Sequence, residues 1–390
     1  MKLRNLTLLV GSIISVISAV GIATAMPDMS VYFRDVPNSE FLVKLVLTIP
    51  SLAIVLSAFF FGYLLDKWGR KPVLIFSLII YVLAGTSGFI INSLYIMLLS
   101  RLVLGIAVAG AISGITTLLI DYFHGKELEK YMGYQGAFLA IGGLLTLAFS
   151  GVLADIGWKY PFLIHLFGLL ILPGVIFFIS EPNIPSKPEL KRNREIGIQV
   201  HYKPIIGIYA LGFVSMLTIF IFPVHLPFLL TSKLGLSNTQ IGLVLAFQTP
   251  IAIIISINYS KIKALLSFQT MFALIFLSIG INHFIVAISA DYWMILFSML
   301  FGGISLGLFP PTLNVWLASV ISPDIRGRAI SGLTTFIFLA QFMTPIVTQP
   351  LVESVGLVNV FSYAGMLSLL LFGLMIVLNR RYRNDSDLNN

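Results

Sequence analysis

Asp28 and Arg101 are the two residues of this chain best placed to do chemistry, because each is an ionisable group embedded in a long apolar run. Arg101 lies about seven residues into the run 94–120, so roughly 10 Å from its end at about 1.5 Å per residue. A guanidinium keeps its proton. Burying one in hydrocarbon is expensive unless a partner, a cavity or water relieves it. Asp28 stands near the end of the first apolar run, at a similar depth and toward the same face. Burial favours the neutral acid, and a nearby arginine favours the carboxylate. These opposed effects could let Asp28 take and release a proton while Arg101 tunes it. The alternatives are an interfacial Asp28 that stays ionised and an Arg101 that snorkels to the surface.

A second concentration of charge lies in Gly62-Tyr63-Leu64-Leu65-Asp66-Lys67-Trp68-Gly69-Arg70-Lys71, a short segment between two apolar runs. It is too brief for a folded domain and can only return the chain to the bilayer. Asp121 closes the run 94–120 on the same side. Neutral polar and aromatic residues are scattered through the other runs: Tyr32, Gln135, His225, Gln248, Asn314, Trp316 and Gln341. As a set they suggest a lined substrate cavity. Each could instead bridge two helices, since polar groups in hydrocarbon need partners.

The elements that position these residues follow from composition. Of 390 residues, 58% are hydrophobic and 10% charged, against about 25% charged in soluble domains. Much of the surface must therefore face lipid. There is no cysteine, which excludes disulfides and thiolate chemistry. No phosphate-cradling loop, zinc-protease helix or serine nucleophile elbow is present. No metal site and no cofactor are expected. An enzyme is not expected, for want of any acid and histidine cluster.

A membrane-spanning helix needs roughly 20 mostly apolar residues. Twelve runs qualify: 6–29, 41–64, 72–91, 94–120, 131–153, 161–180, 204–230, 240–258, 268–288, 293–319, 329–351 and 357–379. The first is too long for a secretory signal core of about 7–15 residues and reads as a span. Open strands cannot satisfy their backbone in lipid, so the expected fold is an all-α membrane protein. With the N-terminus inside, nineteen of the 24 lysines and arginines fall in connections on one side. Arg34, Lys44, Lys159 and Lys233 fall on the other, and Arg101 lies within a run. That bias predicts both termini in the cytoplasm. It also accounts for the net charge of +8 without a nucleic-acid partner.

The longest connection, 181–203, is rich in proline and charge and lies near the middle. It divides a first six-helix bundle, 1–180, from a second, 204–379, with a cytoplasmic tail at 380–390. Two such halves with a site between them near the midplane is the layout of a rocking transporter.

Several motifs resemble the major facilitator superfamily. The segment 62–71 is similar to its loop motif G-x-x-x-D-[RK]-x-G-R-[RK] at every position. Arg101-Leu102-Val103-Leu104-Gly105 resembles the fourth-span motif of its drug:proton antiporters, with Leu104 where glutamine is usual. Gly21 through Ser30 resembles their first-span pattern: Gly21 and Pro27 match, and Ser30 stands in for a second proline. In the fifth run, Thr146-Leu147 replaces the Gly-Pro of the antiporter motif. The resemblance implies twelve transmembrane helices in two six-helix bundles, in a bacterial inner membrane. It implies that Gly62, Asp66, Gly69, Arg70, Lys71 and Asp121 form a conformational latch between the halves. It further implies proton-coupled efflux of small lipophilic or amphipathic compounds by a single chain that needs no protein partner. A specific carrier of a sugar, siderophore or lipid-like metabolite is the alternative. A receptor or scaffold would need extensions that the short loops lack.

Overall fold

The computed structural model describes residues 2–182, 202–321 and 326–388. Within these, twelve helical segments are long and apolar enough to cross a membrane. Spans 1–6 are Leu3–Tyr32, Ser39–Ala58, Arg70–Phe89, Leu94–Tyr122, Gly125–Ile156 and Tyr160–Phe178. Spans 7–12 are Pro204–Leu234, Asn238–Ile257, Phe268–Ile288, Tyr292–Val320, Arg328–Val355 and Leu357–Arg380. All twelve coincide with the apolar runs to within a few residues. No strand occurs among the described residues. Large apolar side chains such as Phe177, Leu170 and Leu370 remain exposed, as expected where the solvent is lipid.

The face carrying Gly69 is here named the basic face and the opposite one the far face. The central connection 181–203 lies outside the described residues apart from its ends, as does 322–325 between spans 10 and 11. The tail expected at 380–390 is not a separate element, because the last helix continues to Leu388.

Span 1 is built in pieces: Leu3–Gly11, Ile14–Val20, a 3-10 turn at Ala23–Ala25, and Met26–Tyr32. Span 2 continues as one helix to Trp68. The expected ten-residue turn therefore shrinks to Gly69, with the next helix starting at Arg70. Gly62 and Asp66 belong to the helix. Gly69 holds φ +91°, a left-handed conformation that glycine adopts without steric cost.

Each half has its own apolar core. Leu74, Leu78, Leu104, Val108 and Leu118 belong to the first, and Phe272, Phe276, Leu308 and Leu313 to the second. The halves meet where span 5 packs on span 8 and span 2 on span 11. Between spans 5 and 8 the backbones are in contact: a Cβ on Gly242 would lie 2.4 Å from the Leu147 carbonyl oxygen, and one on Gly151 2.5 Å from that of Asn238. Glycine is what permits this approach.

Candidate functional site

The seam between the halves is the place where the two bundles could exchange one arrangement for another, and its polar contacts run from the far face to the middle of the bilayer. At the far end of span 5, the Asp155 carboxylate accepts hydrogen bonds from the backbone N–H groups of Asn238 (2.8 Å) and Thr239 (3.1 Å). It thereby caps the first turn of span 8, whose free N–H groups and dipole favour a negative charge. The Asn238 side-chain amide turns to span 1 and donates to Asp28 Oδ2 at 2.7 Å. On the other flank, Lys44 Nζ donates to Gln349 Oε1 at 2.8 Å, and Ser51 Oγ donates to Gln341 Oε1 at 2.8 Å.

Asp28 and Arg101 do not form the expected pair. Arg101 is fully buried, yet its Nη2 donates to the carbonyl oxygens of Ala84 (2.6 Å) and Gly85 (2.8 Å) near the end of span 3. Its guanidinium also sits 5.0 Å from the centroid of the Phe162 ring. A cation is favoured at a helix C-terminus and over an aromatic face. Arg101 is thus a clamp among spans 3, 4 and 6 within the first half, while Asp28 is half-buried at the seam.

The expected charge cluster of Asp66, Arg70 and Asp121 comes together, with Glu181 as a further member. Arg70 Nε donates to Asp121 Oδ2 at 3.0 Å, and its Nη2 reaches Asp66 Oδ1 at 3.4 Å. The carboxylate of Glu181, past the end of span 6, accepts the backbone N–H groups of Arg70 (2.6 Å) and Lys71 (2.8 Å). Lys71 Nζ donates to the Ile176 carbonyl at 2.8 Å. These partners all belong to the first half, so in this arrangement the cluster ties spans 2, 3, 4 and 6 together. Gly62 faces open space and makes no close approach. Glu181 was missed as a site residue. An acid directly after an apolar run that ends on the basic face was the available signal.

The residues expected to line a cavity mostly bridge helices. Gln135 donates to Ser12 Oγ at 2.9 Å, joining spans 5 and 1. His225 is fully buried, with Nε2 2.6 Å from Thr348 Oγ1, joining spans 7 and 11. Gln341 crosses the seam to Ser51. Gln248 donates to its own helix at Leu245 O, and Asn314 to Pro310 O. Trp316 stacks on Phe268 with centroids 5.4 Å apart and belongs to the second-half core. Tyr32 packs against Phe33 and Trp158 at the far face. Within this set, Gln341 is the residue whose hydrogen bond crosses to the other half.

Asn238, Asp155, Ser51 and Lys44 are also site residues that the sequence did not single out. Lys44 groups with the far-face cations by charge counting although it lies inside the run 41–64, and its side chain is 0% exposed. The signal was Glu40 one turn earlier, since acid and base four apart on a helix face each other.

Among the described residues, no group of histidines and acids could hold a metal. A sequence profile described as Major Facilitator Superfamily matches residues 8–262 and 208–389. The chain is 20% identical over 336 residues to the quinolone resistance protein NorA of Staphylococcus aureus (strain COL), covering 85% of this chain and 86% of that protein. It is 26% identical over 180 residues to the class H tetracycline resistance protein of Pasteurella multocida, covering 45% and 44% of the two chains. In fold it is similar to the crystal structure of a D-xylose-proton symporter, with TM-score 0.74, 16% identity, and 94% and 96% of the two chains covered.

Proposed function

The chain belongs to the major facilitator superfamily and is a secondary transporter of small molecules, and from that premise we propose that it exports lipophilic or amphipathic compounds in exchange for protons. The observation that carries this reading is the bond between Asp28 in the first half and Asn238 in the second, 2.7 Å long. Alternating access requires such seam contacts to break and reform. A proton taken by Asp28 removes the charge that Asn238 is bonded to and weakens the contact, since hydrogen bonds to charged acceptors are the stronger ones. Protonation and opening of the far face would then be linked. The basic face is the cytoplasmic one in this reading, and a bacterial plasma membrane is the setting. On the other flank of the seam the halves are joined by neutral groups, Ser51 and Gln341, which suits an amphipathic cargo. The resistance proteins among the relatives agree in kind. Residues 66–71 and 121 would latch the basic face in the opposite arrangement.

Proteoliposomes carrying a pH-sensitive dye and an imposed proton gradient test this against a panel of lipophilic cations, neutral drugs, sugars and siderophores. Proton movement with several lipophilic compounds, lost in Asp28→Asn, is the expected result. Asparagine still offers an oxygen to Asn238, so the substitution removes the charge while the seam keeps its shape. Transport that ignores Asp28→Asn overturns the coupling. A response to one metabolite alone supports the second reading, a specific carrier. The observation favouring that reading is span 5, an unbroken 32-residue helix without the proline of the antiporter motif.

A further inference from the structure

The buried cation at the far end of span 2 has no part in the proton coupling proposed above. Lys44 Nζ donates to Glu40 Oε1 at 2.6 Å on its own helix and to Gln349 Oε1 at 2.8 Å on span 11. Gln349 Nε2 in turn donates to Glu353 Oε1 at 3.1 Å. The ammonium also lies 4.7 Å from the centroid of the Phe228 ring on span 7. Glu40, Gln349 and Glu353 line an open far-face cavity of about 430 Å³, so water stands at the edge of the contact.

The chain of bonds Glu40–Lys44–Gln349–Glu353 has a specific division. Glu40 and Lys44 are four residues apart on span 2, and Gln349 and Glu353 are four apart on span 11. One bond, Lys44 to Gln349, joins the two pairs. If the halves part at the far face, each half keeps its internal pair, and what breaks is the Lys44–Gln349 bond together with the contact of the ammonium with the Phe228 ring. The freed ammonium is then hydrated by water from the cavity, which an ammonium accepts readily. An apolar contact in the same place would resist opening, because parting would wet it.

We propose that this strut is a separable lock on the far face: the bond to Gln349 holds the halves together, and Lys44 is the positioning residue whose readily hydrated ammonium keeps opening cheap. The inference rests on the alternating-access reading given above. It assigns Lys44 a role in the conformational step and none in carrying protons or cargo.

The lock predicts opposite shifts from its two central residues. Gln349→Ala leaves a buried ammonium short of one acceptor in the closed state, which should raise the open-to-closed ratio by roughly tenfold. Lys44→Met strands no charge, since the Glu40 side chain is 42% exposed. It replaces a hydrated group by one that prefers burial, which should lower the ratio by roughly tenfold. The chain has no cysteine, so spin labels attached through Ile156→Cys and Lys233→Cys would report far-face separation alone. Their distance distribution is measured by pulsed electron paramagnetic resonance in lipid nanodiscs, for the otherwise unaltered chain and for both variants. Two separations whose ratio moves in opposite directions support the lock. Two separations whose ratio moves the same way, or not at all, overturn the lock and leave alternating access standing. A single separation that persists across pH and in every variant overturns both.

Discussion

Asp155 and Asn238 lie 83 residues apart, in different halves, yet the carboxylate of one caps the helix begun by the other at 2.8 Å. The span 8 helix does not depend on this cap for its folding. Ser237 and Gln240 already form a capping box at the same terminus. The Asp155 bond therefore adds to the closed seam and little to the helix. Asp155→Ala should weaken far-face closure by about 1 kcal/mol, a roughly fivefold change in ratio. The same label pair reads it, and thermal unfolding should move little.

Gly242 offers a steric test of the same seam. A Cβ there would meet the Leu147 carbonyl oxygen at 2.4 Å, a backbone atom that can move only with span 5. Gly242→Ala should hold the far face apart and shift the labels to the longer separation. Gly62→Ala is the control. Its Cβ meets nothing within 4 Å, and alanine is favoured over glycine in a helix by roughly 0.5–1 kcal/mol, so stability should hold or rise.

Arg101→Leu should destabilise the first half by about 1–3 kcal/mol, the cost of leaving buried carbonyl groups without a donor. Arg101→Lys should recover part of this, since an ammonium can still reach one carbonyl but lacks the planar fork. Differential scanning fluorimetry in detergent ranks the three chains. Equal midpoints would remove Arg101 from the framework.

Glu181 and Gly69 form the return between spans 2 and 3. Glu181→Ala should raise hydrogen–deuterium exchange at the amides of Arg70 and Lys71, whose acceptor it is. Asp66→Asn should leave those amides protected, because Asp66 pairs with the Arg70 side chain while Glu181 accepts the amides. Gly69→Ala combines an unfavourable φ with a Cβ 2.9 Å from the Glu181 carboxylate. It should cost roughly 1–3 kcal/mol, read as a lower thermal midpoint.

The twelve spans were legible because hydropathy acts along the chain, and each bilayer crossing repeats the same requirement. The site was less legible, because depth in the bilayer says nothing about which face of a helix a residue occupies. Asp28 and Arg101 share a depth, yet one turns to the seam and the other to the carbonyls of span 3. Lys44 sits close to the start of span 2, so counting charges by side grouped it with the far-face cations and said nothing of its burial. Trp316 and Gln248 look alike in sequence to Gln341, but only the packing of span 2 on span 11 decides which of them reaches the other half. The 62–71 motif was recognised by its residues, whereas its capping acid, Glu181, lies more than a hundred positions away.

Span 1 crosses the bilayer in short pieces, and at the second break the Ala25 amide bonds to Ile22 O, so that a carbonyl such as Gly21 O loses the amide one turn later. In hydrocarbon such a group needs a substitute. At the first break Leu8 O keeps the Ser12 amide, and Gln135 of span 5 donates to the Ser12 hydroxyl beside it. Ser150 of span 5 donates to Gly21 O at 2.7 Å and sits 2.7 Å from the Thr24 hydroxyl. Span 5 thus acts as a splint: its polar side chains complete the main chain of a neighbour that cannot complete its own. The two helices are in effect one load-carrying member, and damage to Ser150 would show itself as unravelling of span 1.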